Sequence, residues 1–343
     1  MTSRHSRHLL FDRIGEEGQR RIAAARIAIV GCGALGSRAA ELLARAGAGT
    51  GDGGFLRLID RDYVDVSNLQ RQALYDTDDA RAARPKATAA ARHLAAIDPA
   101  VRCEALVRDL TPANASTLLA GAGLVVDGTD NFRTRFLLND AALAMGVPWI
   151  HGGAVASRGV VAAFAPGHGP CFRCLLDHAP GLGAGETCDT AGVVTTVPAL
   201  VATLQATFAL RWLVDGTMPR GLRLFDLWDD EPRWKTLFTG AAADPECRSC
   251  GRRELPALRD EGREVVTLCG RNSVQIIGDE TADLASAAAR LDSVATEVHR
   301  HPESITARFP EGALTLFADG RVIVEGTTDP MEATTLVARY LGG

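Results

Sequence analysis

Short apolar runs alternate with helical patterns from residue 26 to residue 165. The runs Arg26–Val30, Phe55–Asp60 and Leu124–Asp127 are largely apolar, which is typical of strands buried on both faces of a sheet. Between the first two runs, Leu35–Arg45 has the spacing of a helix, and Pro85 is well suited to begin another. This alternation predicts an α/β fold with a doubly wound, mostly parallel sheet.

The pattern changes after residue 165. A long apolar stretch within residues 192–215 contains threonine, glutamine and arginine, so we interpret it as a buried helix and not as a membrane span. We predict a main domain at 1–255, a charged linker at 256–264, and a small C-terminal α/β domain of unknown role at 265–343.

The first strand leads into a Gly-x-Gly-x-x-Gly motif formed by Gly31, Gly33 and Gly36. Glycine lets the backbone turn tightly and approach a phosphate at the following helix N-terminus. Asp60 ends the next strand, where a carboxylate can bond ribose hydroxyls. The context predicts a Rossmann-like nucleotide site, and by itself the motif favours NAD. The same glycines could instead serve only close packing of helix on strand.

Three polar residues follow the ribose-binding strand: Asn68, Arg71 and Lys86. Each could be an ordinary solvated residue. Together they lie on the ligand side of the predicted sheet. Cations there suit a triphosphate under attack by a carboxylate, because the two anions repel each other.

Asp127-Gly128-Thr129-Asp130-Asn131 ends one predicted strand and opens a helix. Asp130 could be only the N-cap of that helix, which is a common role for aspartate. It is also well placed to hold Mg²⁺ against phosphate oxygens.

Cys171, Cys174, Cys247 and Cys250 form two Cys-x-x-Cys pairs. Together they can make a closed tetrahedral zinc site, which would be structural because no ligand position is left open. Buried or redox-active cysteines are the alternative. Cys188 stands apart, before a long predicted helix, and could be either a reactive thiol or a small buried residue.

Composition restricts the function further. The chain has 343 residues, 46% of them hydrophobic, and a formal net charge of −5. These values indicate a folded soluble protein and argue against a nucleic-acid-binding surface. The first residues lack the apolar core of a signal peptide, and paired cysteines without one suggest metal in a reducing cytosol. We therefore expect a cytoplasmic protein that binds neither membrane nor nucleic acid.

Residues 4–250 resemble the ThiF/MoeB/HesA group, bacterial relatives of the ubiquitin-activating enzymes. The resemblance rests on RHSR (4–7), GCGALG (31–36), IDRDYVDVSNLQRQ (59–72), RPK (84–86), DGTDN (127–131), PCFRC (170–174), CDTAGV (188–193), LQATFAL (204–210) and CRSC (247–250). It implies ATP-dependent adenylylation of the C-terminal Gly-Gly of a small ubiquitin-like sulfur-carrier protein, as a step towards thiamin, molybdopterin or a related product. A separate cysteine desulfurase or rhodanese would then donate the sulfur.

The resemblance also implies residue roles. The expected nucleotide-binding set is Gly31, Gly33, Ala34, Gly36, Asp60, Asp62, Asn68, Arg71, Lys86, Asp130 and Asn131. The expected catalytic set is Arg7, Arg71, Lys86, Asp130 and Cys188. In this group Asp130 holds Mg²⁺, the four paired cysteines hold zinc, and Cys188 can link to the carrier. Arg7 matches an arginine delivered into a partner subunit's site, which implies a homodimer.

Other functions remain open from the sequence. An NAD-dependent enzyme or a non-catalytic scaffold could use the same fold, and the same chemistry could serve RNA thiolation, a natural product or protein conjugation. The final Gly342-Gly343 could also be a carrier-like tail, although a helix ending in glycine is ordinary.

Overall fold

The structure is a computed structural model that describes residues 4–176, 191–228, 233–259, 265–268, 272–276 and 281–341. It divides into two units. The first unit comprises Met1–Asp62, Val66–Asp76 and Lys86–Glu261, and the second comprises Tyr63–Asp65, Thr77–Pro85 and Gly262–Gly343.

An eight-stranded sheet forms the centre of the first unit. Its strands are β1 (Arg26–Val30), β2 (Phe55–Asp60), β3 (Cys103–Val107), β4 (Leu124–Asp127), β5 (Trp149–Val155), β6 (Arg158–Phe164), β7 (Leu222–Asp226) and β8 (Arg233–Leu237). They lie in the order β3-β2-β1-β4-β5-β6-β7-β8. Strands β1 to β5 pair in parallel, and β6, β7 and β8 are added antiparallel. The predicted α/β, mostly parallel sheet is confirmed.

The helices of the chain begin with α1 (Ser6–Leu9), α2 (Gly15–Ala23), α3 (Ala34–Arg45), α4 (Thr77–Arg81), α5 (Lys86–Ile97) and α6 (Ala115–Leu118). They continue with α7 (Phe132–Met145), α8 (Phe172–Leu175) and α9 (Thr196–Asp215). Among these, α4 belongs to the second unit. The ends of α7 and α9 are set by Gly146 and Gly216, whose positive φ angles stop the helices in a left-handed cap.

The central strands explain the continuous apolar runs of the sequence. Ile27, Ala28 and Ile29 of β1 are all fully buried, so both faces of this strand are covered. The strand order reverses beside β1, where β2 lies on one side and β4 on the other. Open α/β sheets bind ligands in the crevice at such a switch point, beyond the carboxyl ends of the strands.

Helix α9 is long and apolar enough to cross a membrane by length and composition alone. In the structure it packs against α2, α3, β5 and β6 of the first unit. Its buried side chains include Val201, Gln205 and Phe208. The helix is therefore part of the core of this unit, as the polar residues within it predict.

The second unit contains a six-stranded antiparallel sheet and two further helices. The strands are β9 (Val265–Leu268), β10 (Ser273–Ile276), β11 (Glu297–His301), β12 (Ser304–Phe309), β13 (Gly312–Phe317) and β14 (Val322–Glu325), in the order β11-β12-β13-β14-β10-β9. The helices α10 (Leu284–Leu291) and α11 (Pro330–Leu341) contribute to its apolar core, together with Ile305, Leu314 and Val324. Residues 342–343, and with them the Gly-Gly hypothesis, lie outside the described residues.

Part of the predicted linker, 256–264, has regular structure. Pro256–Leu258 forms a 3-10 turn that packs against α7. The backbone N–H of Ala257 donates a hydrogen bond of 2.8 Å to Asp140 Oδ2 on that helix. The start of this charged segment is thus attached to the first unit.

Candidate active site

The glycines of the first βα turn have two different roles. Gly31 has a φ of +84°, and a Cβ at Gly36 would lie 1.8 Å from the Gly31 carbonyl oxygen. A Cβ at Gly128, beyond the end of β4, would lie 2.2 Å from the same oxygen. These three glycines therefore allow backbone to pack against backbone at the switch point. The packing interpretation of Gly31 and Gly36 holds in the structure.

Gly33 faces more open space. A Cβ built there would meet only the Gly128 carbonyl oxygen, at 4.0 Å. Gly33 is the N-cap of α3, Ala34 is the first residue of that helix, and no side chain caps it. The uncapped N–H groups of a helix start attract a phosphate, and Gly33 lets one approach.

Asp60, at the end of β2, holds the glycine turn. Its Oδ2 accepts the backbone N–H of Cys32 at 2.6 Å, and its Oδ1 accepts the N–H of Asp62 at 2.7 Å. Burial raises the pKa of the Asp60 carboxyl, and the nearby charge of Lys86 opposes that increase. Asp60 thus fixes the turn in addition to its expected contact with ribose.

Lys86 begins α5 and is 3% exposed, yet its amine is paired. Its Nζ lies 3.0 Å from Asp62 Oδ2, and its backbone N–H donates to the Asp62 carbonyl at 2.8 Å. The structure therefore brings Asp60, Asp62 and Lys86 together beside the glycine turn. A buried amine interacts with phosphate charge more strongly than an exposed one, because its surroundings have a lower dielectric constant than water.

Asn68 and Arg71 lie on the segment between β2 and α5. Asn68 is 2% exposed and ends a 3-10 turn, Val66–Asn68. Arg71 is partly exposed, and its guanidinium donates to the Ser67 carbonyl at 2.9 Å. Among the described residues, the hydrogen bonds and ion pair that Lys86 makes outside its own helix are with Asp62 and Tyr75, so the structure does not bring Lys86 into such a bond with Asn68 or Arg71.

Asn131, and not Asp130, caps helix α7. The Asn131 Oδ1 accepts the backbone N–H of Thr134 at 2.9 Å, so the N-cap interpretation of Asp130 is wrong. Asp130 is exposed, and Asn131 Nδ2 lies 3.3 Å from its Oδ1. Burial lowers the pKa of Arg61, but the negative charges of Asp109 and Asp130 outweigh burial and raise it. The Arg61 guanidinium therefore interacts electrostatically with Asp130.

Tyr75 is a site residue that the sequence reasoning missed. Its hydroxyl donates to the Cys32 carbonyl at 2.6 Å and lies 3.3 Å from the Lys86 carbonyl oxygen. Tyr75 is 8% exposed and so joins the glycine turn to the start of α5 from within. The only signal in the sequence is an aromatic residue with a hydroxyl inside a polar segment.

Two expected catalytic residues cannot be placed in this site. Arg7 lies on the short helix α1, and its side chain is exposed. Its expected role requires a partner subunit. Cys188 lies outside the described residues.

The four paired cysteines converge, as predicted. The Sγ atom of Cys171 lies 3.8 Å from that of Cys174 and 3.7 Å from that of Cys247, and Cys174 and Cys250 are 3.3 Å apart. Ligands about 2.3 Å from a tetrahedral zinc ion lie roughly 3.8 Å from one another. The cluster could therefore bind zinc.

The chemistry of these thiols fits a cation. Burial raises the pKa of Cys171 far above its usual range and that of Cys250 to about 12. Burial also opposes ionisation of Cys247, but backbone N–H groups of Cys250 and Ser249 outweigh it and lower the pKa of that thiol. Four sulfurs at this spacing, two buried and two partly buried, become stable thiolates when a metal ion balances their charge.

Helix α7 forms hydrogen bonds with both cysteine-pair segments. Asn139 Oδ1 accepts the N–H of Phe172 at 2.9 Å, between the first two cysteines. Asp140 Oδ1 accepts the hydroxyl of Ser249 at 2.5 Å, between the second two. Both α7 residues are fully buried. The same helix begins beside Asp130, so it connects the cysteine cluster with the switch-point crevice.

Residues 5–249 match the ThiF family. The chain is 41% identical over 345 residues to the sulfur carrier protein ThiS adenylyltransferase of Bacillus subtilis, and the match covers 100% of both chains. It is 38% identical to the sulfur carrier protein adenylyltransferase of Thermus thermophilus, covering 72% of this chain and 90% of that protein. The SAMP-activating enzyme E1 of Haloferax volcanii is 36% identical, with coverages of 75% and 92%.

Solved structures agree on the fold. The crystal structure of E. coli MccB with ATP superimposes with a TM-score of 0.61 at 21% identity, covering 73% of this chain and 75% of that one. At this identity the likeness shows the fold alone. The sequence matches go further, because they extend over the glycine turn, the Asp130 segment and all four clustered cysteines: this chain belongs to the ThiF family.

Proposed function

We propose that this protein adenylylates the C-terminal Gly-Gly carboxylate of a small ubiquitin-like sulfur carrier, with ATP as the co-substrate. The observation that carries the proposal is the buried Lys86, paired with Asp62 beside the glycine turn. A nicotinamide dinucleotide needs few cations at this place, whereas a triphosphate under attack by a carboxylate needs several. The full-length similarity to a ThiS adenylyltransferase supports the same conclusion.

In the proposed reaction a carboxylate oxygen of the carrier attacks the α-phosphorus of ATP. A carboxyl–phosphate bond forms, the bond from the α-phosphorus to the bridging oxygen breaks, and pyrophosphate leaves with that electron pair. Lys86 and Arg71 reduce the repulsion between nucleophile and phosphate, and the N-terminus of α3 binds phosphate oxygens. Asp60 bonds the ribose, and Asn68 orients the triphosphate.

Two metals fit residues of this chain. Asp130 has the hard carboxylate ligand that Mg²⁺ prefers, and when bound the ion would balance triphosphate charge. Cys171, Cys174, Cys247 and Cys250 would hold a structural zinc ion, since four thiolates leave no position for substrate.

The partners follow from the proposed reaction. The carrier ends in Gly-Gly, and a separate cysteine desulfurase or rhodanese supplies sulfur to the adenylate. Arg7 completes the site of a second copy in a homodimer, and the protein works in the cytoplasm. Whether the product serves thiamin, molybdopterin, RNA thiolation or protein conjugation depends on the carrier.

Exchange of labelled pyrophosphate into ATP tests the proposal. We expect exchange only with a carrier that has an intact Gly-Gly terminus, and none with a carrier lacking these two residues. Lys86→Met should lower the rate roughly 100-fold or more. The matched control is Lys235→Met, which changes the only other lysine of the chain, exposed on β8.

A thermal-shift comparison tests the competing NAD function. If NAD raised the melting temperature and MgATP did not, the nucleotide assignment would be wrong. Exchange that needs no carrier, or equal rates for the two lysine variants, would also contradict the proposal.

A further inference from the structure

The end of strand β4 carries a fully buried carboxylate, Asp127. Its Oδ1 accepts two hydrogen bonds from Thr129, one from the backbone N–H at 2.9 Å and one from the hydroxyl at 2.6 Å. Its backbone carbonyl accepts Gln205 Nε2 at 2.7 Å. A buried carboxylate needs such partners to stay charged. Asp127 therefore fixes the residue that immediately precedes Asp130.

The other carboxylate oxygen of Asp127, Oδ2, contacts two side chains from other elements. His151 Nδ1, on β5, lies 2.8 Å from Oδ2, and Arg135 Nε, on α7, lies 3.6 Å from it. Arg135 also donates through its Nη2 to the Thr129 carbonyl at 2.8 Å. Both backbone polar groups of Thr129 are thus held, the N–H by Asp127 and the carbonyl by Arg135.

The bridge lies where backbone pairing stops. Strands β4 and β5 pair at Val125↔Trp149 and Val126↔Ile150. At the next position the side chains of Asp127 and His151 make the connection instead of the backbone. The side-chain bridge therefore continues the connection between the two strands at the edge of the switch-point crevice.

The charges of this network are compatible with burial. Burial alone would raise the pKa of Asp127, but the hydrogen bond from His151 and the charge of Arg135 outweigh it and lower that pKa. Burial lowers the pKa of His151 more than Asp127 raises it. The histidine is then neutral at pH 7, with its proton on Nδ1 and directed at Asp127, and the aspartate and arginine charges cancel.

We propose that His151 and Arg135 are positioning residues that act through Asp127 to fix Thr129, and thereby aim the Asp130 carboxylate at the metal–nucleotide complex. No proton is transferred and no covalent bond changes in this role. The inference rests on the proposed function, because it takes Asp130 as the magnesium ligand. It assigns a supporting role to residues of β4, β5 and α7 that hold the backbone next to that ligand. In metal sites the partners of a ligand are usually worth 10- to 100-fold in affinity or activity.

Substitutions at His151 separate positioning from packing. His151→Phe keeps a ring against Phe172, whose centroid lies 5.2 Å from that of His151, but loses the N–H donor. His151→Asn places an amide N–H close to the position of Nδ1. We expect the Mg²⁺ concentration for half-maximal pyrophosphate exchange to rise about tenfold in His151→Phe and to stay near wild type in His151→Asn. His299→Phe, in the second unit, is the matched control.

Two substitutions at Thr129 make a second test, and we expect them to disturb folding less than those at His151. Thr129→Val replaces the hydroxyl that donates to Asp127 with a methyl group, whereas Thr129→Ser keeps the hydroxyl. The Mg²⁺ requirement should therefore rise in the first variant and not in the second. Equal behaviour of these two variants, or an unchanged Mg²⁺ dependence in a folded His151→Phe, would overturn the inference. Calorimetric titration of the free enzyme with ATP, at a series of Mg²⁺ concentrations, measures the Mg²⁺ dependence of ATP binding without a carrier. The two proposals can fail separately. If wild type shows no pyrophosphate exchange, but the Mg²⁺ dependence of ATP binding still differs between Thr129→Val and Thr129→Ser, the proposed function is rejected and the inference stands.

Discussion

The hydroxyl of Ser249 donates a hydrogen bond of 2.5 Å to the buried carboxylate of Asp140. Through its other oxygen, the same carboxylate accepts the backbone N–H of Ala257 at 2.8 Å. One side chain of α7 thus holds the Cys247–Cys250 turn and the chain that follows it. The geometry of the cysteine cluster therefore depends on a residue that is not a metal ligand.

Replacing Asp140 should loosen that cluster. Asp140→Ala removes the acceptor of three donors, the Ser249 hydroxyl, the Ala257 N–H and Asn139 Nδ2. A hydrogen bond to a charged group contributes about 1.5–3 kcal/mol. We expect loss of at least about 2 kcal/mol of unfolding free energy and a faster release of zinc to a chelator, measured by thermal unfolding and by a colorimetric zinc assay. Asp215→Ala, on an exposed position, is the control. Unchanged zinc release in Asp140→Ala would show that the cluster holds its own geometry.

The two kinds of glycine should respond differently to alanine. In Gly36→Ala the new Cβ meets the Gly31 carbonyl oxygen at 1.8 Å, so the unfolding free energy should fall by at least about 3 kcal/mol. In Gly33→Ala the backbone has an ordinary φ of −74° and open space, so the protein should fold with less than about 1 kcal/mol of loss.

The Gly33 variant should nevertheless bind ATP poorly, because a methyl group occupies the approach to the helix N-terminus. We expect the Kd for MgATP to rise about tenfold, as measured by calorimetry, which corresponds to about 1.4 kcal/mol. Wild-type affinity in Gly33→Ala would place the phosphates elsewhere.

Tyr75→Phe removes the link between the glycine turn and α5. The lost hydrogen bond to the Cys32 carbonyl should cost about 1 kcal/mol of stability and leave a buried carbonyl unpaired. Because the proposed phosphate site lies on that turn, the KM for ATP should rise several-fold while the protein remains folded. Tyr340→Phe, in the second unit, removes a hydroxyl of similar chemistry near Glu311 and should leave the KM unchanged.

Protonation of His151 should destabilise the fold in mild acid. Burial lowers its pKa below the 6.5 of an unfolded histidine, so the unfolded chain binds more protons between the two values. Stability from this residue is complete above pH 6.5 and is lost progressively as the pH falls from there towards the folded pKa. The acid-dependent fall in Tm between pH 7 and pH 5.5 should be smaller in His151→Phe than in wild type. His5 and His301, whose pKa values burial also lowers, are present in both proteins and cancel in the comparison.

The parallel strands could be predicted from the sequence because burial on both faces leaves an uninterrupted apolar run, as in Ile27-Ala28-Ile29. Strand β11 could not, since Glu297–His301 contains a single apolar residue and lies at the sheet edge. Its pairing with β12 stabilises it, and that partner comes later in the chain.

The candidate site was predictable to the extent that motif residues have one dominant chemistry, as the four cysteines do. Local sequence could not distinguish Asp130 from Asn131 as the cap of α7, because both side chains can accept the N–H bond and only the backbone angles decide. Asp140 and His151 gave no signal. Their partners lie more than 20 residues away, so only the folded chain shows the contact.

The contacts of Gly31, Gly36 and Gly128 bear on how this family can diverge. Each already lacks a side chain, so a larger residue at any one of them has no smaller neighbour to compensate for it. A descendant that lost its chemistry would still need all three glycines to fold. Asp130 is exposed and meets no such packing constraint, so it can change in a relative that does not carry out the proposed reaction. We therefore expect the three glycines to persist wherever the fold does, and Asp130 to persist only where the proposed chemistry does.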